Sequence, residues 1–206
     1  MNKTLLFPIC VFDFNWAEYS KYKDDLVDYC HELENIPTPL AVAPGAKRNL
    51  FESKFNFLQS DRESVVALSD FFYNALWEVA KDMNGRMWEV ANKKLLIHES
   101  WCHVTKTGGY HDIHRHPGCS WCGIFYLEPA QSNLSTRNGV NRFYNDVINL
   151  GADEGTLYME SYYDSDPVPG KLIIFPSHMA HSALTYMGDT PRIVIAFNAQ
   201  VRSAND

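Results

Sequence analysis

The chain has 206 residues, of which 46% are hydrophobic, 14% aromatic and 21% charged. That is enough apolar material for one well-packed core and too much for a disordered segment. The formal net charge is −7 and no Lys/Arg cluster stands out, which argues against nucleic acid or an anionic membrane as the main partner.

Residues 4–13 read as a first strand: an apolar run passes directly into an acidic, aromatic segment, without the small-residue cleavage site of a leader. Tyr19, Tyr22, Leu26, Tyr29 and Leu33 recur at steps of three and four, which predicts an amphipathic helix over about 16–34. Pro37, Pro39, Pro44 and Gly45 mark a loop. Ser60-Asp-Arg-Glu63 has the capping-box pattern. The stripe Val65, Leu68, Phe72, Leu76, Val79 and Met83 then predicts a long helix over about 61–84, ended by Asn84-Gly85.

From about residue 94 the texture becomes all-β. Lys94–Thr105, Ser120–Leu127, Asn141–Asp146, Gly155–Glu160, Lys171–Phe175, His181–Tyr186 and Arg192–Val201 are short runs rich in β-branched and aromatic residues, separated by turn formers. Two helices followed by many strands predict a mainly β fold with α: a jelly roll, cupin-like, with helices packed on one face. The expectation is one domain over 1–206, with residues 1–93 as helical support and first strands and 94–201 as the jelly-roll core.

No apolar stretch approaches the length needed to cross a bilayer. The five cysteines, with no leader in view, suggest reduced thiols and a cytoplasmic protein. Cys119-Ser-Trp-Cys122 invites a zinc or redox reading, but no second pair accompanies it, and it is read as two small strand residues.

The chemistry concentrates in three places. His114 and His116 lie two residues apart, His181 follows 65 residues later, and Arg192 comes 11 after that. Ligands at i and i+2 of an extended segment share a face, and a third from a distant strand completes one triangular face of an octahedron, leaving the opposite positions open. A buried arginine nearby pairs bidentately with a carboxylate. The pattern is what a non-haem iron site with a dicarboxylate co-substrate requires. His111 and His178 are read as surface or rim residues.

These residues resemble the 2-oxoglutarate- and Fe(II)-dependent oxygenases, most closely a branch of small bacterial and phage proteins with an H-x-H-P-G motif. The likeness is carried by Trp101, Gly108, His114-Arg-His116-Pro-Gly118, Cys122-Gly-Ile-Phe-Tyr126-Leu, Gly170-Lys-Leu-Ile-Ile-Phe-Pro-Ser177, His181 and Arg192-Ile-Val-Ile-Ala-Phe-Asn198, over about 94–200. More distantly the chain is similar to prolyl hydroxylases: Gly108, six before His114, puts His114 in the first-ligand place, and His116 falls where that family has its carboxylate. The resemblance implies a double-stranded β-helix and oxidative decarboxylation of 2-oxoglutarate to succinate, usually coupled to hydroxylation of a substrate. It implies His114, His181 and Arg192 as catalytic residues. Arg192 and Tyr126, with His103 and Asn198 beside them, would bind the cofactor. Trp101 and His103 alternate onto one face of their strand and would line the cavity.

Three ligand sets remain: His114, His116 and His181; His114 and His181 with water; or His114 and His181 with the carboxylate of Asp112. The three-His set is favoured, since iron without an anionic ligand keeps its full charge and attracts 2-oxoglutarate more strongly. The loops at about 36–58 and 129–168 would form the pocket walls; the second is rich in Asn, Asp and Tyr and suits a polar small molecule or an amino-acid or peptide side chain. The rival readings are a three-His iron dioxygenase that uses no 2-oxoglutarate, and a metal- or sugar-binding jelly roll without catalysis.

Overall fold

The computed structural model describes residues 9–36, 47–85, 92–145 and 160–203. In chain order these form β1 (Phe12–Asn15), α1 (Tyr19–Glu34), β2 (Lys47–Glu52), a short 3-10 turn (Phe57–Gln59), α2 (Glu63–Asn84), β3 (Lys93–His114), β4 (Trp121–Glu128), β5 (Asn141–Tyr144), β6 (Tyr162–Ser165), β7 (Lys171–Pro176), β8 (His181–Tyr186) and β9 (Arg192–Ser203). The strands are hydrogen-bonded in the order β1-β7-β4-β9-β3-β8-β5-β6, with β2 added to β3, and every named pairing is antiparallel. This is the expected mainly β architecture with two helices.

The long strand β3 explains how the sheet curls into a half-barrel. Its first half, Lys93–Thr105, pairs with β9, and its last part, Gly109–His114, pairs with β8. Between them the chain passes through Gly108 at φ +78° and then Gly109. A Cβ at Gly109 would lie 2.6 Å from the Lys106 carbonyl oxygen and 2.7 Å from that of Asn49, so only glycine lets β2 and β3 approach here. Register shifts after Gly109 and again after His111 bend the strand further.

The helices cover the outer face of the sheet. On α2, Val65, Leu68, Phe72, Leu76 and Val79 are fully buried at helical spacing, each contributing about 1.5–3 kcal/mol through burial. They meet outward-facing residues of β4 and β9; the Phe72 ring lies 5.0 Å from Phe197 and 5.7 Å from Phe125. A separate cluster fills the inner face, including Cys122, Ile124, Tyr126, Ile173, Phe175 and Val194. No helix among the described residues is long and apolar enough to cross a membrane.

Several sequence expectations are corrected. The first strand is Phe12–Asn15 rather than 4–13, of which residues 4–8 lie outside the described residues. The Pro37–Gly45 loop and most of the Gly155–Glu160 strand also lie outside them; Glu160 itself is not in a strand, and Tyr162–Ser165 is. Lys47–Glu52, expected among loop residues, is a strand. No capping box forms, because α2 begins after Arg62 with no side-chain cap and Glu63 instead accepts a hydrogen bond from the Tyr22 hydroxyl at 2.8 Å. The strand expected to stop at Thr105 continues to His114, so the first histidine of the motif is part of a strand.

Candidate metal centre

Antiparallel register places the histidines together. In the β3–β8 ladder His114 is the direct partner of His181, and in the β8–β5 ladder His181 faces Phe143. His116 follows β3 by two residues; its backbone N–H donates to the carbonyl of Ser177, the residue after β7, at 3.2 Å. One ring nitrogen each of His114, His116 and His181 lie within 4.8 Å of one another.

The hydrogen bonds set the ring orientations. His114 Nδ1 lies 2.7 Å from the Asp112 carbonyl and His181 Nδ1 lies 3.0 Å from the Met179 carbonyl. A carbonyl oxygen only accepts, so each Nδ1 carries the proton and each Nε2 presents a lone pair. His116 Nε2 is 3.3 Å from His181 Nε2. His181 is 3% exposed and its pKa is lowered to about 3, first by burial and then by the His114 charge. It is therefore neutral at pH 7, as a metal ligand must be. Phe143 stacks on it at 5.9 Å and Phe175 meets it edge-on at 4.7 Å, excluding water from that side. The donor set fits a divalent first-row transition metal such as iron.

Asp112 does not join this cluster. It is exposed, and its Oδ1 accepts from the Ile113 N–H at 3.0 Å. The register shift between His111 and His114 breaks the alternation that would have put Asp112 on the face of His114.

Beyond the histidines the pocket wall includes Trp101, His103, Asn141, Val194 and Arg192. Arg192 begins β9 on its inner face and is 1% exposed. Its Nη2 donates to Asn141 Oδ1 at 2.6 Å, its Nε is buried with no hydrogen-bond partner, and no carboxylate among the described residues pairs with it. Burial lowers its pKa. A guanidinium in this condition is costly unless an anion joins it. The Tyr126 ring lies 5.9 Å from the Arg192 guanidinium, and its buried hydroxyl also makes no hydrogen bond. Burial pushes the phenol pKa up, so the hydroxyl keeps its proton and is available to donate. Lys171 Nζ lies 5.5 Å from the same ring. That lysine already donates to Ser165 Oγ at 3.2 Å and lies 3.8 Å from Asp13 Oδ2, whereas the two orphaned donors could hold a carboxylate.

The remaining predicted residues are placed as follows. His103 is in the pocket wall; its Nε2 lies 2.7 Å from Glu52 Oε2 and 2.9 Å from the Trp101 indole nitrogen. Asn198 is buried but is occupied elsewhere: its amide donates to Glu99 Oε2 at 2.7 Å and its oxygen lies 3.3 Å from Cys122 Sγ. His178 is exposed. His111, expected at the surface or rim, stacks on His114 at 3.9 Å and lines the pocket. Sequence reasoning missed Asn141, Glu52 and Lys171. A lysine opening the apolar run Lys171–Phe175 was the available signal for the last. Asn141 and Glu52 gave none, since their roles come from pairing across the sheet.

Residues 99–198, just under half of the chain, match the family model described as "Putative 2OG-Fe(II) oxygenase". No curated protein matches the sequence. Solved structures with the same fold include a prolyl-4-hydroxylase from Pseudomonas putida (14% identity, 91% of this chain and 92% of that one, TM-score 0.54). A prolyl hydroxylase from Trichoplax adhaerens, in complex with a hypoxia inducible factor oxygen degradation domain peptide fragment, matches at 14% identity over 91% and 83% with TM-score 0.60. HygX from Streptomyces hygroscopicus, with nickel, 2-oxoglutarate and hygromycin B bound, matches at 13% identity over 92% and 81% with TM-score 0.56.

Proposed function

We propose that this chain is a 2OG-Fe(II) oxygenase, a reading supported by the family match of residues 99–198, and that it hydroxylates a polar small molecule or an amino-acid side chain of a peptide. His114, His116 and His181 hold Fe(II), and Arg192 with Tyr126 holds the far carboxylate of 2-oxoglutarate. The observation that carries the reading is the fully buried Arg192, without a carboxylate partner among the described residues, in the same pocket as three converging imidazoles.

When bound, Fe(II) with 2-oxoglutarate and oxygen supplies the oxidising power, releasing succinate and carbon dioxide and delivering one oxygen atom to substrate. The chain's own residues bind and orient. Asn141 fixes the Arg192 fork, and the inner wall of Ile124, Phe175, Val194 and Ala196 keeps water from the reacting groups. Nδ1 bonds to backbone carbonyls fix the tautomers of His114 and His181 without adding charge.

The substrate class is supported by a groove beside the centre. Asp13, Tyr144, Glu160, Tyr162 and Tyr163 line it together with the apolar Ile9 and Val11, and Phe143, which stacks on His181, separates it from the centre. Its acidic and phenolic groups suit a polar ligand carrying donors. Two of the similar structures named above hold a peptide fragment and hygromycin B, respectively.

The test is anaerobic addition of Fe(II) and then 2-oxoglutarate, followed by its visible charge-transfer absorption. Wild type develops the band, His181→Ala does not, and Arg192→Met requires far more 2-oxoglutarate. A band of equal 2-oxoglutarate dependence in Arg192→Met would overturn the assignment. Tight metal binding with no band at any 2-oxoglutarate concentration would favour a three-His dioxygenase that works without it, and metal binding with no oxygen consumption a non-catalytic jelly roll.

A further inference from the structure

Cys119 and Cys122 take no part in the reaction proposed above, yet their sulfur atoms lie 3.8 Å apart. Cys122 is fixed in β4, buried, and lines the metal pocket. Cys119 is half-buried in the turn before β4, and its thiol donates to the His116 carbonyl at 3.4 Å. Gly118, at φ +80°, turns the chain between His116 and Cys119 so that the two thiols meet. A second pair, Cys30 and Cys102, is also in contact, but both residues are completely buried.

We propose that Cys119 and Cys122 are a modification site: a dithiol on the pocket wall that a hydroperoxide converts to an intramolecular disulfide. Cys119, the more accessible sulfur, attacks one peroxide oxygen; an S–O bond forms, the O–O bond breaks, and water leaves, giving the sulfenic acid. The Cys122 sulfur then attacks the Cys119 sulfur; the S–S bond forms, and the S–OH oxygen leaves with a proton as a second water. Two thiols and one hydrogen peroxide thus give one disulfide and two waters. The sulfur atoms must close by about 1.8 Å to reach bonding distance, and the turn carrying Cys119 is the part that moves. Cys30 and Cys102 lack the access that the first step requires.

The bridge has a consequence for the metal centre, and this part rests on the function proposed above. Forming it removes both thiol hydrogens, so the hydrogen bonds to the His116 carbonyl and to Asn198 are lost. The first of these ties down the segment that carries His116. Oxidation therefore releases one ligand from its support and weakens metal binding, by about tenfold, the effect typical of losing such outer contacts.

Metal-free full-length protein is treated with hydrogen peroxide, alkylated, and mapped by mass spectrometry. The expected result is a segment holding Cys119 and Cys122 that has lost two hydrogens, takes no alkyl group and is restored by a dithiol reductant, while Cys30 and Cys102 stay unlinked. In Cys122→Ser, Cys119 gains oxygen instead; in Cys119→Ser, Cys122 stays unmodified. Alkylation of both thiols after peroxide, or oxygen added to Cys119 in the wild type without a bridge, overturns the proposal. Co(II) titration of reduced and oxidised protein tests the coupling: about tenfold weaker binding after oxidation is expected, and equal affinity overturns the coupling. No Co(II) binding in either state would overturn the metal centre and leave the mapped bridge standing.

Discussion

The two faces of β9 have opposite characters. Outward, Ile193, Ile195, Phe197 and Ala199 belong to the large apolar core under the helices. Inward, Arg192, Val194, Ala196 and Asn198 face the barrel, where Arg192, Val194 and Ala196 line the pocket. One face fits a hydrocarbon core and the other holds a buried cation without a carboxylate partner among the described residues. Stability is thus concentrated outside, and the inner face gives up some of it to hold polar groups ready for a ligand.

Inner-face substitutions should remove chemistry and spare the fold. His181→Ala is expected to abolish metal binding, an affinity loss beyond about hundredfold, since even outer contacts are worth ten to a hundredfold; calorimetric titration with Co(II) measures it, with a cooperative melt as the control. Arg192→Met comes next. It should weaken 2-oxoglutarate by about 2–5 kcal/mol, the cost of removing one member of a buried charge pair. The melting temperature of the ligand-free protein should stay equal or rise, because an apolar side chain replaces an unpaired buried charge. A melt that falls steeply would mean that the Arg192–Asn141 contact is chiefly structural.

The outer face should behave in the opposite way. Phe72→Ala is expected to cost about 3–5 kcal/mol in denaturant unfolding, because its fully buried ring packs on Phe197 at 5.0 Å and on Phe125 at 5.7 Å. The Co(II) affinity of the folded fraction should stay within about threefold, as for sites without shared partners. If metal binding fails while the fold persists, the two faces are coupled and the contrast breaks.

A smaller effect separates the faces by pH. Folded protein holds His181 neutral down to about 3, while its ordinary value is 6.5. The unfolded state therefore binds more protons between these values, and stability falls as pH falls through that window, by at most about 1.4 kcal/mol per unit. Above 6.5 the contribution is complete. The difference between wild type and His181→Gln across urea melts from pH 7 to pH 4 isolates it; two parallel curves would remove the burial argument.

What could be read from sequence follows from which interactions are local. The stripe on α2, the strand His181–Tyr186 and the His114/His181/Arg192 order were legible because periodicity and spacing carry them. β2 was not: Lys47–Glu52 has little alternation and gains its ladder only from β3. The capping box at Ser60 failed because Tyr22 on the other helix takes Glu63. Asn141 beneath Arg192 and Glu52 beneath His103 are contacts across 51 residues each, invisible to any local pattern. The proximity of the two thiols was hidden for a related reason: Cys119 precedes β4 rather than lying in a strand, and the turn at Gly118 brings the two sulfur atoms to 3.8 Å.

The smallest expected effect decides between the ligand sets. Alternation along an unbroken strand would put Asp112 on the face of His114, which is why its carboxylate was a candidate ligand. The ladder is irregular between His111 and His114, and Asp112 is exposed with Oδ1 on the Ile113 N–H. Asp112→Asn keeps that hydrogen bond and removes the charge, so Co(II) affinity should change less than about twofold, the residue of long-range Coulomb attraction at an exposed position. His116→Ala should weaken it by more than about hundredfold if His116 is a ligand, since an outer support is worth about ten to a hundredfold. A large loss in Asp112→Asn together with a small one in His116→Ala would replace the three-His centre with two histidines and a carboxylate.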